Sequence, residues 1–189
     1  MLVKRPTFEF RPLTEEDLPL LAEWLSRPHL QEWWREGEIT LERVREKYLP
    51  RTAGDDAAVP FIVHQEGLPI GYIQYYRAWV NPDWWPDDPG TGVYGIDQFI
   101  ADEDRLNRGI GTGFIRQFVR FLMEDPAIVE VRVDPRPDNG RAIRCYEKVG
   151  FVRVGNIVTP DGLATLMVLP RSLMEESSGR FRFLFSRGE

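Results

Sequence analysis

Apolar residues recur along this chain at two spacings, and those spacings predict most of its elements. Phe8 to Pro12 alternates and reads as a first strand. Leu18, Leu21, Trp24 and Leu25 share one face of a helix that runs to about Ser26 and is broken at Pro28. Thr14-Glu-Glu-Asp17 opens it as a capping-box variant, a hydroxyl followed three residues later by a carboxylate. After the aromatic stretch His29 to Trp34, Thr40 caps a second helix through Leu41, Val44 and Tyr48, ended by Pro50. Arg51 to Ala58 is a polar loop. Val59 to His64 and Ile70 to Ala78 form a hairpin across Gln65-Glu-Gly-Leu68.

The stretch from Val93 to Ala127 organises the rest. It is a strand to Ile100, a glycine turn Leu106-Asn-Arg-Gly-Ile-Gly-Thr-Gly113, and a helix with Phe114, Ile115, Phe118, Val119 and Leu122 on one stripe before Pro126. Glycines between a strand and a helix let backbone N–H groups crowd round an anion, and the helix N-terminus adds partial positive charge. A diphosphate is the natural guest; a plain tight turn is the alternative. No Gly-Lys-Ser/Thr follows, so the turn is not a Walker loop. Its glycine pattern, and Asp97 and Gln98 within the strand, do not fit a dinucleotide fingerprint. Val129 to Asp134 is a short strand. Asn139 caps a helix bearing Ala142, Ile143, Tyr146 and Val149, and Gly150 ends it. Phe151 to Val158 and Leu163 to Leu169 make a last hairpin around Pro160-Asp-Gly162.

A chain of 189 residues suits one compact domain, and 42% hydrophobic content supplies a sizeable core. The net charge of -6 argues against a nucleic-acid partner and suits a cationic small molecule, or simply a solvated acidic surface. Cys145 is the single cysteine and falls on an apolar helix, so it reads as core. His29 and His64 make no zinc site, and no metal-ligand spacing occurs. With no leader and no apolar run of membrane length, the expectation is a cytoplasmic, enzyme-sized domain. The segment Asn81 to Gly90 sets Trp84 and Trp85 among Asp83, Asp87 and Asp88. Its tryptophans either fold back on the core or wall a site for a polar cation. The tail 172–189, with Arg180-Phe-Arg-Phe-Leu-Phe185, is an edge-strand or oligomer-contact candidate, leaving the monomer and the homodimer both open.

Two motifs carry a resemblance. The glycine turn resembles the pyrophosphate loop of the GNAT acyltransferase superfamily, with Gly109 and Gly111 as its glycines and Leu106 where Gln or Arg is usual; Arg108-Gly-Ile-Gly-Thr-Gly113 fits the same letters two residues later, but the earlier register leaves Thr112 and Gly113 to begin the helix. Asn139-Gly-Arg-Ala-Ile-Arg-Cys-Tyr-Glu-Lys-Val-Gly-Phe151 resembles its later helix. Glu32-Trp33-Trp34, Tyr48-Leu-Pro50, Pro69-Ile-Gly-Tyr72, Gly95-Ile-Asp-Gln98, Asp134-Pro and Thr159-Pro-Asp-Gly162 extend the likeness to the aminoglycoside 6′-N-acetyltransferases. The siderophore-type lysine N-acyltransferases share part of the aromatic N-terminal pattern.

The resemblance implies an α/β (α+β) GNAT fold over 8–171: a central, twisted, mixed but mostly antiparallel sheet flanked by helices. It implies transfer of acetyl from acetyl-CoA, without a metal, to a primary amine such as the 6′-amine of an aminoglycoside. Asn107, Arg108, Gly109, Ile110, Gly111 and Thr112 would hold the pyrophosphate, with Gln98, Phe99, Ile100 and Asn139 along the rest of the cofactor. Asp97 is the implied base and Tyr146 the implied acid; a surface Asp and a core tyrosine are the plain alternatives. Trp33, Tyr48, Tyr76, Trp84 and Trp85 are candidate acceptor walls, and Asp134 and Asp161 candidate acceptor-binding carboxylates. Asp134 has the alternative of closing its strand through local amides. Another amine, a siderophore lysine or a polyamine, or a non-catalytic acyl-CoA sensor, are the competing readings.

Overall fold

The computed structural model describes residues 7–34, 37–85, 87 and 89–174. Its strands are β1 (Phe8–Pro12), β2 (Ala58–Gln65), β3 (Leu68–Arg77), β4 (Val93–Ile100), β5 (Glu130–Val133), β6 (Val152–Thr159) and β7 (Gly162–Pro170). Its α-helices are α1 (Leu18–Leu25), α2 (Pro28–Gln31), α3 (Leu41–Ala53), α4 (Ile110–Leu122) and α5 (Gly140–Val149). The strands hydrogen-bond in the order β1-β2-β3-β4-β5-β7-β6. β4 and β5 run parallel; the β1–β2, β2–β3, β5–β7 and β6–β7 pairs are antiparallel. The chain packs as two compact units. The first takes the described residues of Met1–Arg77 and Ile96–Phe118, the second those of Ala78–Gly95 and Val119–Glu189.

In the first unit Leu18, Leu21, Trp24 and Leu25 of α1 enter one cluster with Val44, Tyr48, Ile62, Tyr72 and Phe99. Burying each such side chain contributes roughly 1.5–3 kcal/mol, and the helical stripe exists to collect it. Asp17 starts this region as foreseen, accepting from the amide and hydroxyl of Thr14 at 2.9 and 2.8 Å, though it closes a 3₁₀ turn (Glu15–Asp17) that leads into α1. Pro28 does not simply break the chain; it occupies the first position of α2, where its missing N–H has no partner to lose. The β2–β3 hairpin turns on Glu66 and Gly67, both at positive φ (54° and 77°), the pair a two-residue primed turn demands. Gly71 is needed for packing: a Cβ there would strike the carbonyl oxygen of Phe99.

Pro50 also departs from expectation. α3 runs through it to Ala53 and closes at Gly54, whose φ is 82°. Proline costs a helix the N–H bond of its own residue, yet its carbonyl still accepts. Here the Pro50 carbonyl takes the amide of Asp55 at 2.9 Å, so the last turn survives. Arg51 is therefore a helical residue, three positions after Tyr48 and on the same face.

In the second unit Val131 and Val133 pair with Leu169 and Met167 across β5 and β7, and all four are buried, as are Ile143, Val149 and Phe151. Asn139 caps α5 through Oδ1, which accepts the amide of Ala142 at 3.0 Å, and Gly150 ends it. Cys145 is half-buried on α5 rather than in the core. The tail motif Arg180 to Phe185 lies outside the described residues.

Candidate active site

In the first unit the site grows from two neighbouring strands. Tyr72 and Gln74 alternate onto one face of β3, as Asp97 and Phe99 do on β4. Tyr72 stacks on Phe99 with ring centroids 5.4 Å apart and planes at 15°. Beside that pair, Gln74 Nε2 donates to Asp97 Oδ2 at 2.7 Å. Gln74 Oε1 accepts from Tyr72 OH at 2.6 Å and from Arg51 Nη1 at 2.9 Å. Arg51 lies over the Tyr48 ring, 5.0 Å from its centroid, and donates from Nε to Asp56 at 3.3 Å. Burial works to lower the Arg51 pKa, but Tyr72, Tyr48 and Asp56 around it raise it above the ordinary arginine value. It is a permanent cation, joined to Asp97 through one amide.

Trp34 presents edges to Tyr72 and Phe99, at 5.9 and 5.2 Å, completing an aromatic floor; Trp33 is half-buried. Tyr76 is half-buried and shares the β3 face of Tyr72 and Gln74. Tyr48 does not wall a site. It is 0% exposed and edges onto Tyr72 at 5.9 Å, so it supports the floor from beneath.

The glycine turn of the same unit is exposed at Asn107, Arg108 and Gly109. Asn107 (φ 59°) and Gly109 (φ 78°) are both left-handed, flanking Arg108. Alternation of that kind turns successive N–H groups into one concavity, which suits an anion. The helix starts at Ile110, inside the stretch Leu106 to Gly113 that reads as the glycine turn. Its first internal bond is from the Gly113 amide to the Gly109 carbonyl at 2.9 Å, so the Ile110 and Gly111 amides precede the helical ladder. Asp102 anchors the approach, bonded by Arg27 at 2.5 Å and Arg105 at 3.1 Å, while Arg27 also caps the Ala101 carbonyl at 2.8 Å. Of the three strand residues expected along the cofactor, Gln98 and Ile100 are half-buried, whereas the Phe99 ring is core.

The second unit gathers a separate set of groups. Glu130, Arg132 and Asp134 follow at period two along β5 and its end. Arg132 is buried and grips Asp87 with two bonds, 2.7 and 2.9 Å, and Glu130 with a third at 2.6 Å. Its guanidinium lies 5.6 Å from the Trp85 ring centroid. Hydrogen bonding to Arg132 outweighs burial and holds the Asp87 carboxyl below its ordinary value. Trp84 Nε1 donates to Asp134 Oδ2 at 2.8 Å. Both tryptophans are thus tied down: Trp85 is core, 3% exposed, and only half-buried Trp84 keeps a surface to offer. Asp87 is spent on Arg132, and Asp83 stays exposed. Tyr146 is buried on α5, its ring 5.5 Å from that of Phe151. Asp161 is exposed in the β6–β7 turn, where its amide bonds Thr159 Oγ1 at 3.3 Å.

Residues 14–159 match the family model for the acetyltransferase (GNAT) domain. The chain belongs to the GNAT acetyltransferases. It is 45% identical over 170 residues to an aminoglycoside N(6')-acetyltransferase type 1 of Klebsiella pneumoniae, covering 88% of this chain and 85% of that one. It superposes on AAC(6')-Ib, solved with coenzyme A and kanamycin, with a TM-score of 0.85 at 43% identity over 91% of this chain and 99% of that one. A lysine N-acyltransferase MbtK of a Mycobacterium species is 28% identical over 170 residues, 87% of this chain and 68% of that one.

A GNAT enzyme takes its acetyl group from acetyl-CoA, and this chain has what that molecule asks for. The left-handed pair at Asn107 and Gly109, the helix start behind it and the exposed Arg108 fit a diphosphate. Asn139 Oδ1 caps α5, and its Nδ2 is the donor it keeps for a ligand. Among the described residues no cluster of metal-ligating side chains occurs, and no helix is long and apolar enough to cross a membrane.

Gln74, Arg51 and Tyr72 are the residues the sequence reading did not single out. The signal was present: a glutamine two residues after a tyrosine in an otherwise apolar strand shares its face. Arg51 was hidden because Pro50 read as a helix end. Arg132 belongs with them, since the short strand Val129 to Asp134 carries no local sign that its arginine pairs with Asp87.

Proposed function

We propose that this enzyme acetylates the 6′-amine of aminoglycosides, by direct transfer from acetyl-CoA within a ternary complex. The observation that carries the reading is the likeness, over nearly the whole length of both chains, to AAC(6')-Ib solved with coenzyme A and kanamycin. The anchored carboxylates Asp97 and Asp134 support it, because a polycationic acceptor needs anions already held in place.

The amides of Asn107 to Thr112 and the Arg108 side chain take the diphosphate, and the resemblance assigns Gln98, Phe99, Ile100 and Asn139 to the rest of the cofactor. When bound, acetyl-CoA supplies the thioester carbonyl carbon that the amine attacks. An alkyl amine titrates at roughly 8–10, so it arrives as an ammonium. Asp97 holds that ammonium and takes one of its protons, freeing the lone pair that attacks the thioester carbon; once the carbon–nitrogen bond has formed, the nitrogen, now acidic, gives its second surplus proton to solvent. As the carbon–sulfur bond breaks, Tyr146 gives its phenolic proton to the departing sulfur and regains one from solvent. The resemblance assigns Trp33, Tyr76 and Trp84 to the sugar rings of the acceptor, and Asp134 and Asp161 to its further ammonium groups. Such an enzyme works in the cytoplasm and confers resistance.

Incubation with acetyl-CoA and kanamycin tests this. Thiol release with one acetyl mass added to kanamycin, and none added to an analogue bearing a 6′-hydroxyl, is the expected result. No release with kanamycin removes the substrate assignment. The second reading, acylation of a lysine side chain, rests on the 28% identity to the lysine N-acyltransferase and is read by the same assay with lysine as acceptor.

A further inference from the structure

We infer that Gln74 is a positioning residue for Asp97, and that Arg51 and Tyr72 set Gln74 for that task. The inference rests on the role given to Asp97 above and adds what makes that role possible.

Gln74 is 6% exposed, and a buried amide is tolerated only when both its ends are paired. Its pairing leaves no freedom of orientation. Arginine can only donate, so the atom facing Arg51 Nη1 at 2.9 Å must be the amide oxygen. The amide nitrogen must then face Asp97, where it sits 2.7 Å from Oδ2. Tyr72, donating to the same oxygen at 2.6 Å, holds the amide from a second direction. Each of these bonds donates toward the carboxylate. A chain of donors ending on Asp97 favours its ionised form, and the guanidinium at the far end polarises the amide in the same sense.

Other groups set the charge of the network. Asp56 occupies Arg51 Nε at 3.3 Å, Tyr48 lies beneath the guanidinium, and Lys47 stands 5.6 Å from the Tyr48 ring centroid. Only the Nη1 arm of Arg51 is turned to Gln74. Two strands and a helix, rather than a loop, therefore fix the direction of the carboxylate. The bland alternative is a glutamine that merely fills the core; such a residue needs no bond to Asp97.

The test is Gln74→Met, which keeps the volume and removes both ends of the amide. Misplacing a reacting group costs up to ~100-fold, so kcat/KM for kanamycin should fall at least tenfold while the KM for acetyl-CoA stays unchanged. Carbon-13 titration of the Asp97 carboxyl supplies a readout that needs no turnover: its pKa should rise in Gln74→Met relative to the parent enzyme. If kanamycin is not acetylated, the substrate proposal fails, but the titration still judges this one. A folded Gln74→Met enzyme with an unmoved titration overturns the inference. Should Gln74→Met fail to fold, Tyr72→Phe removes one donor without a cavity. An upward shift there, with little shift in Arg51→Lys, supports the relay, and no shift in Tyr72→Phe overturns it.

Discussion

Trp84 Nε1 donates to Asp134 Oδ2 at 2.8 Å, tying the tryptophan loop to the end of β5. One bond thereby fixes both a ring and a carboxylate. Trp84→Phe removes it. Bonds to charged groups contribute roughly 1.5–3 kcal/mol when buried, and this pair is half-buried, so ~1 kcal/mol is expected. Steady-state kinetics should show the KM for kanamycin rising about fivefold, with the KM for acetyl-CoA unchanged.

Arg132 holds the same loop from its other side, through Asp87, Glu130 and the Trp85 ring. Arg132→Met leaves Glu130 without its cation in a half-buried setting. Breaking a buried pair costs 3–5 kcal/mol, but Asp87 is half exposed and can rehydrate, so ~2 kcal/mol is expected. In a chain of this size that lowers the melting temperature by about 4–8 °C, measured by calorimetry.

Asp17 sets an acid limit on stability. Hydrogen bonds from Arg11 outweigh burial and, with the amide and hydroxyl of Thr14, lower its pKa from 3.8 to about 2. The folded state therefore binds this proton less readily than the unfolded chain. The stabilisation is fully present above pH 4 and is lost as pH falls toward 2. Melting curves of the parent and Asp17→Asn should differ at pH 7, and the gap should close between pH 4 and about 2.

Gly71 is the close-packing point between β3 and the end of β4, since any Cβ there meets the Phe99 carbonyl. Gly71→Ala must push backbone aside, and overpacking costs ~1–3 kcal/mol. The displaced strand carries Gln98 to Ile100, so a raised KM for acetyl-CoA should accompany the lower melting temperature.

Local chemistry was legible in the sequence. The caps at Thr40 and Asn139, the Glu66-Gly67 turn and the helical stripe of α1 each depend on neighbours within a few residues. Long-range pairing was not. Nothing near Gln74 in sequence announces Asp97, because the bond spans two strands. Aromatic residues mislead for a related reason. Tyr48 and Trp85 have the size and polarity of binding walls, yet each is spent on packing beneath an arginine. Asn107, in contrast, adopts the left-handed geometry an anion loop uses, as its residue type allows.

The claim on which the rest depends is that Asp97 receives the acceptor amine. Asp97→Asn keeps the shape and can still accept from Gln74, but it carries no charge and takes no proton. The measurement is kcat/KM for kanamycin in Asp97→Asn, alongside coenzyme A affinity by calorimetry. Acid–base groups contribute typically 100- to 10,000-fold, so a loss of at least ~100-fold with coenzyme A binding intact is the predicted result. An Asp97→Asn enzyme that acetylates kanamycin at the parent rate would contradict it.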